Sequence, residues 1–258
     1  MTGELAPDFA GKVAIVTGGG TGVGFGVARA FARAGAQVAI AGRTGATLAH
    51  AAAAIEQASG TPILAVEADV AVEADCERLV AATIERFGAL DILVNNAARF
   101  ALVPLIDADA AEAARVLTIN VTGPLLCARA FAKWAFERGR GGAIVNISSI
   151  AGVRPAPGCG LYSASKAALD MLTRSMALEW APKGMRVNTV APGHVATEGV
   201  IGDFRAGRLD EAAMVARIPA RRIADADDIA DAVLFLCSDR ARHIMGQVLT
   251  IDGGEGFV

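Results

Sequence analysis

Short apolar runs rich in β-branched residues alternate along the chain with longer stretches of helical period. Lys12 through Thr17, Gln37 through Ala41, Ile63 through Glu67, Asp91 through Val94, Ala143 through Ile147, Met185 through Val190 and Gln247 through Ile251 each read as a buried strand. After the first run, Val27, Ala28, Phe31 and Ala32 line one side of a helix whose other side carries Arg29 and Arg33. The same period predicts helices over Thr44–Gln57, Val72–Phe87, Asp109–Glu137, Gly160–Trp180 and Asp225–Cys237. Asn120, Gly123 and Pro124 are poor helix formers in the middle of Asp109–Glu137, so a kink is expected near 120–124. Residues 197–218 are mixed in polarity and carry Gly199, Gly202 and Gly207, which predicts a mobile lid-like insertion. Strand and helix alternate from end to end with no linker or repeat. The expectation is a single α/β domain over residues 1–258, a doubly wound, mainly parallel seven-stranded sheet flanked by helices.

Composition agrees with buried parallel strands under closely packed helices. Hydrophobic residues make up 53%, aromatics only 5%, and there are 29 glycines. A net charge of −3 without a basic patch argues against nucleic acid and anionic membrane surfaces as partners. Charged residues interrupt every apolar run before it reaches membrane-spanning length. Met1 through Ala10 carries Glu4 and Asp8 and no apolar leader, so a cytoplasmic protein is expected. Cys76, Cys127, Cys159 and Cys237 lie far apart in sequence and read as small apolar residues, and no metal-ligand spacing occurs.

The candidate chemistry gathers where strands end. Gly18-Gly-Gly-Thr21-Gly-Val-Gly24 follows the first strand and opens the first helix, a geometry that offers helix amides to a phosphate. The second strand ends at Gly42-Arg43, where a dinucleotide fold often has a carboxylate for the ribose 2′-hydroxyl. An arginine there would attract a 2′-phosphate instead, which favours NADP over NAD. Asp69 could accept from an adenine amino group or cap the helix that follows. Asn95-Asn96-Ala97-Ala98 gives small residues for a flat ring and amides that can lock the loop. Tyr162, the one tyrosine in the chain, stands four residues before Lys166, which puts both on one helix face. An ammonium beside the phenol is expected to pull its pKa below about 10, toward general acid–base work.

Taken in order, these motifs resemble the short-chain dehydrogenase/reductase family of the single-domain type, from about Lys12 to Gly254. Thr17-Gly18-x-x-x-Gly22-x-Gly24 resembles its cofactor loop, Asp69-Val70 its adenine contact, and Asn95 through Ala98 its Asn-Asn-Ala-Gly motif, with Ala98 in place of the last glycine. Asn120, Ser149, Tyr162 and Lys166 resemble its catalytic tetrad, Ser149 standing thirteen residues before Tyr162. Pro192-Gly193-x-Val195-x-Thr197 resembles its nicotinamide-side loop. The resemblance implies an NADP-dependent enzyme that interconverts a carbonyl and a secondary alcohol on a small molecule. It implies cofactor contacts from Gly18, Gly20, Thr21, Gly22, Val23, Arg43, Asp69, Val70, Asn96, Ala97, Tyr162, Lys166, Pro192, Gly193, Val195 and Thr197, and no metal. Tyr162 would exchange the proton, Lys166 would tune it and bind ribose, Ser149 would hold the substrate oxygen, and Asn120 would hold a water leading to Lys166. The 3-oxoacyl-[acyl-carrier-protein] reductases are similar in pattern, and Arg140 and Lys183 are basic at positions that could meet such a carrier. NAD-dependent sugar or steroid alcohol dehydrogenases, and a non-catalytic NADP-sensing protein, are the other readings. The pocket is expected from Val153, Arg154, Cys159, His194 and residues 197–218, and a homotetramer is implied.

Overall fold

A computed structural model describes residues 9–257. Most of Met1 through Ala10, and with it the expected absence of a leader, lies outside the described residues. Seven strands form one sheet: Val13–Thr17 (β1), Gln37–Gly42 (β2), Ile63–Glu67 (β3), Ile92–Asn95 (β4), Gly142–Ile147 (β5), Met185–Pro192 (β6) and Val248–Ile251 (β7). Their order is β3-β2-β1-β4-β5-β6-β7 and every neighbouring pair is parallel. The order reverses between β1 and β4. There the connections leave in opposite directions and open a crevice at the carboxyl ends of the strands.

The five inner strands are largely buried on both faces, so alternate residues serve two cores. Ala14, Val16, Val38, Ile40 and Val94 face one side, under the helices Gly22–Arg33 (α1), Gly45–Ser59 (α2) and Ala226–Cys237, the last in the chain. Val13, Ile15, Ala39, Leu93 and Ile144 face the other, under Glu73–Phe87 (α3), Gly123–Phe136 and Gly160–Trp180. The helix expected over 109–137 is broken in two. Ala110–Leu117 (α4) and Gly123–Phe136 (α5) are joined by a π-type turn over Thr118–Thr122, the widened turn that Asn120 and the Gly-Pro pair make tolerable. Gly160–Trp180 is α6.

Residues 197–218, expected as a lid-like insertion, form two short helices, Glu198–Arg205 (α7) and Glu211–Arg217 (α8), whose amino ends are closed by the side chains of the preceding Thr197 and Asp210. Neither contains a buried residue. Ala226–Cys237 is α9, started by a capping box between Asp225 and Asp228. Among the described residues no helix is long and apolar enough to cross a membrane.

Candidate active site

The crevice begins at the end of β1. Gly18 has φ +65°, open to glycine, and its amide donates to the Ala41 carbonyl at 2.7 Å. A Cβ on Gly24 would lie 2.3 Å from the Gly18 carbonyl oxygen and 2.4 Å from Asn96 Nδ2, so α1 rests directly on the loop. Asn96 Nδ2 donates to the carbonyls of Thr17 at 3.0 Å and Gly18 at 3.2 Å. In return Thr17 Oγ1 accepts from the amides of Asn96 at 3.0 Å and Ala97 at 3.2 Å. These bonds tie β1 to β4 across the switch point. The sequence placed Thr17 at the head of the glycine motif but did not show that its hydroxyl would hold the Asn96 loop.

Thr21 stands at the N-cap of α1 and Thr44 at that of α2, and neither side chain caps its helix. The first-turn amides of Gly22 and Val23 are therefore free to meet a phosphate. Gly20 packs near Thr47, and a Cβ on Gly22 would lie 3.2 Å from Thr197 Cγ2, which brings the start of α7 over the glycine loop. Arg43 follows β2 at the same edge. Glu67, at the end of β3, directs its carboxylate to the start of α2, with Oε2 2.7 Å from where a Cβ on Gly45 would stand.

Asp69 does not cap α3. Its Oδ1 accepts from the Ala71 amide at 3.0 Å, and Val72 holds the N-cap position. Val70 is buried in the core, as is Val195, whose backbone bridges Ala224. Any cofactor contact at these two positions falls to the backbone. Pro192 ends β6 and Gly193 donates to the Ile251 carbonyl at 3.0 Å. Thr197 Oγ1 accepts from the Val200 amide at 3.4 Å while its methyl faces Gly22.

At the end of β5 the chain turns through Ser149, which accepts from the Ala151 amide at 3.1 Å. The Ser149 hydroxyl also lies against the Tyr162 phenol. Burial raises the phenol pKa above 10, and the Ser149 contact opposes the rise. The expected lowering by Lys166 is not what this cofactor-free geometry gives. Lys166 is 2% exposed, its Nζ is 5.5 Å from the Tyr162 ring centre, and it donates to the Ile147 carbonyl at 2.8 Å. Burial pulls the ammonium down to about 8, with the Asp170 carboxylate opposing. The phenol and the ammonium thus share one face of α6, as their spacing requires, but burial dominates both.

Asn120 is fully buried in the π-type turn. Its Nδ2 donates to Ser165 Oγ at 2.9 Å and the Arg99 carbonyl at 3.0 Å, and its Oδ1 accepts from the Arg99 amide at 2.7 Å. Ser165 Oγ donates to the Tyr162 carbonyl at 2.7 Å. Asn120 therefore reaches the first turn of α6 through Ser165, a residue that sequence reading did not select. Arg99 also forks onto Glu112 of α4 at 2.8 and 2.9 Å, fastening the loop after β4.

Of the expected pocket residues, Val153 is exposed, Cys159 half-buried, and His194 donates or accepts at 2.7 Å with Glu255 Oε2. Arg217 Nη2 joins the other Glu255 oxygen at 3.1 Å. Buried Glu255 escaped sequence reading because its partners come from three separate elements. Arg140 pairs with Asp91 at 3.0 Å and Lys183 lies 4.7 Å over the Phe136 ring. Both precede strands β5 and β6, on the edge opposite the crevice, and are engaged within the chain.

Hydride exchange with a CH–OH carbon needs a dinucleotide cradle and a proton-exchanging group in one crevice. The crevice has the open amides of α1 at the switch point and the Tyr162 phenol at the start of α6, two strands away. The class is a nicotinamide-dependent oxidoreductase acting on CH–OH groups. A family model described as enoyl-(acyl carrier protein) reductase matches residues 18–255. Galactitol 2-dehydrogenase of Agrobacterium fabrum is 38% identical, over 95% of this chain and 97% of its own. Cis-4-hydroxycyclohexanecarboxylate dehydrogenase of Sinomonas cyclohexanicum is 40% identical over the same shares. The crystal structure of levodione reductase superposes with a TM-score of 0.90 at 32% identity, covering 97% of this chain and 99% of that one. The chain belongs to the short-chain dehydrogenase/reductase family.

Proposed function

We propose that this enzyme interconverts a ketone and a secondary alcohol with NADP(H), using Tyr162 as acid and base. The observation that carries the reading is buried Lys166 with its Nζ 5.5 Å from the ring centre of half-buried Tyr162, one helical turn before it, with Ser149 just past the end of the neighbouring strand β5. The nicotinamide, when bound, gives or takes the hydride. Ser149 and Tyr162 orient the substrate oxygen, and in reduction the phenol proton goes to that oxygen. A phenol is protonated at neutral pH in any case, and burial raises its pKa further, so Tyr162 enters reduction as the acid. Lys166 stands where its ammonium favours the phenolate left behind, and Asn120, through Ser165, fixes the turn of α6 that bears Tyr162.

Gly22 and Val23 amides would hold the pyrophosphate, and Arg43 with the open end of α2 would hold a 2′-phosphate. The Glu67 carboxylate at that same helix end favours a second reading, NAD, since it would repel a phosphate and could accept from ribose hydroxyls. Reduction of a carrier-bound thioester is less favoured, because Arg140 and Lys183 are engaged far from the crevice. A non-catalytic NADP sensor would not need the intact tetrad. A homotetramer fits exposed Leu117, Met171 and Leu178 on α4 and α6, and a monomeric mass by light scattering would remove it.

Tyr162→Phe is expected to lower turnover by about 10²–10⁴ while the cofactor still binds. Undiminished turnover would overturn the mechanism. KM values for both cofactors, in the native enzyme and in Arg43→Ala and Glu67→Gln, decide the nucleotide. Under the NADP reading Arg43→Ala raises only the NADP value; a native preference for NAD that Glu67→Gln weakens establishes the alternative.

A further inference from the structure

The loop after β4 and the loop before α6 run side by side at the mouth of the crevice. The Val103 amide donates to the Gly158 carbonyl at 2.7 Å. A Cβ on Gly158 would lie 3.0 Å from Leu102 Cδ1, and one on Gly160 would lie 2.6 Å from Leu105 Cδ2. Phe100 meets the Tyr162 ring edge-on, with centres 5.1 Å apart, yet is 62% exposed. Leu102 and Val153 are 69% and 73% exposed.

Neither loop offers hydrogen bonds from side chains. Phe100 through Ile106 contains only Phe, Ala, Leu, Val, Pro and Ile, and Pro155 through Gly160 has only the Cys159 thiol. Four basic side chains nearby are engaged within the chain. Arg99 is on Glu112, His194 and Arg217 are on Glu255, and Arg154 Nη1 donates to the Glu255 carbonyl at 2.5 Å. An exposed apolar patch beside a reacting group is a binding surface. A polyol there would leave its further hydroxyls without partners, at the cost of their hydration.

Resting on the reading of Tyr162 as the proton-exchanging group, we propose that the substrate carries its carbonyl or hydroxyl on an apolar, ring-sized carbon frame that packs against Phe100, and that Phe100 is a specificity-determining residue. The frame slides between Phe100 and Val153 with its oxygen at Tyr162 and Ser149. A small acyclic ketone reaches the same oxygen site and leaves Phe100 uncovered. A sugar alcohol is refused by the two apolar loops.

The test is kcat/KM for cyclohexanol, cyclohexanone, acetone, sorbitol and galactitol, in the native enzyme, Phe100→Ala and Leu102→Ala. The expectation is a native preference for the ring compounds over the polyols. Phe100→Ala should lose about 10- to 100-fold more on cyclohexanone than on acetone, mainly through KM. A native preference for polyols, or equal losses on both ketones, overturns the proposal. So does a changed oligomeric mass in Phe100→Ala without that differential loss, which would assign the patch to a subunit contact. Ligand-observed NMR of cyclohexanone on NADPH-loaded enzyme reads binding without turnover. A signal lost in Phe100→Ala supports the proposal, and no signal in the native enzyme overturns it. Failure of the Tyr162 reading appears separately, as turnover that survives Tyr162→Phe.

Discussion

The two halves of the crevice are built on opposite terms. On the β1, β2 and β4 side, loops are locked by buried bonds, as Thr17 and Asn96 lock the switch point, while α1 and α2 begin with no side chain over their amides. On the side of α4, α7 and α8, Asp109, Thr197 and Asp210 close the helix starts, and large apolar side chains stand in the open. A helix whose amides are left open in a well-ordered loop awaits an anion. A helix sealed by its own side chain awaits nothing at that end. The nucleotide half thus presents backbone, which mutation cannot easily change, to a ligand of constant shape. The substrate half presents exchangeable side chains to whatever the enzyme acts on.

Lys166 sits at the joint between these halves and gives the largest expected break. Lys166→Met should cut turnover by about 10² or more, since the phenolate loses its neighbouring charge. It also carries a stability signature. The folded pKa, about 8, lies below the unfolded value of 10.5. Between those values the unfolded chain binds the extra proton, so this group's burial penalty is present in full below pH 8 and fades as pH rises through the window. Native minus Lys166→Met stability should therefore rise between pH 8 and pH 10.5, by on the order of 3 kcal/mol. Urea unfolding of the cofactor-free proteins at pH 7 and pH 10 measures it. A difference independent of pH would mean that Lys166 is not buried as a cation.

Gly24→Ala probes the locked half. The new methyl would stand 2.3 Å from the Gly18 carbonyl and 2.4 Å from Asn96 Nδ2, and a backbone carbonyl cannot swing aside as a side chain can. A loss of about 1–3 kcal/mol is expected, with cofactor affinity falling alongside because the glycine loop must shift. An equal methyl at Gly202 on α7, where nothing lies within 4 Å, should change stability little. If the two substitutions cost the same, the contrast between the halves fails.

The sheet was legible because parallel strands buried on both faces read as continuous apolar runs, and all seven lie where those runs stand. The positions of Tyr162, Lys166 and Asn96 followed from strand ends and helix spacing, which are local properties, while Ser149 was chosen over Ser148 by the family's spacing to Tyr162. What stayed hidden depends on contacts distant in sequence. Ser165 is one of several serines until Asn120, forty-five residues earlier, is folded onto it. Glu255 acquires its meaning from His194 and Arg217. The direction of the Tyr162 shift could not be read either, because spacing gives proximity to Lys166 but not the burial that outweighs it. Residues 197–218 were read as an insertion outside the core; what their mixed polarity did not reveal is that Thr197 and Asp210 supply the caps for two short helices.

The smallest expected effect is the most direct test of the open helix end. Thr21 is at the N-cap of α1 and its side chain makes no cap bond. Thr21→Asp would bring a carboxylate to the amides of Val23 and Gly24 and to the positive end of the helix. The cofactor-free enzyme should gain about 0.3–1 kcal/mol, read as a higher thermal midpoint at low salt. Binding of NADPH should weaken at the same time, because the carboxylate occupies the amides that the pyrophosphate needs and repels its charge. The opposite signs are the point. A side chain that merely improved the helix would raise stability and leave affinity alone, whereas one that competes with the natural anion must trade one against the other. A gain in stability without loss of affinity would show that the phosphate is held elsewhere along the crevice.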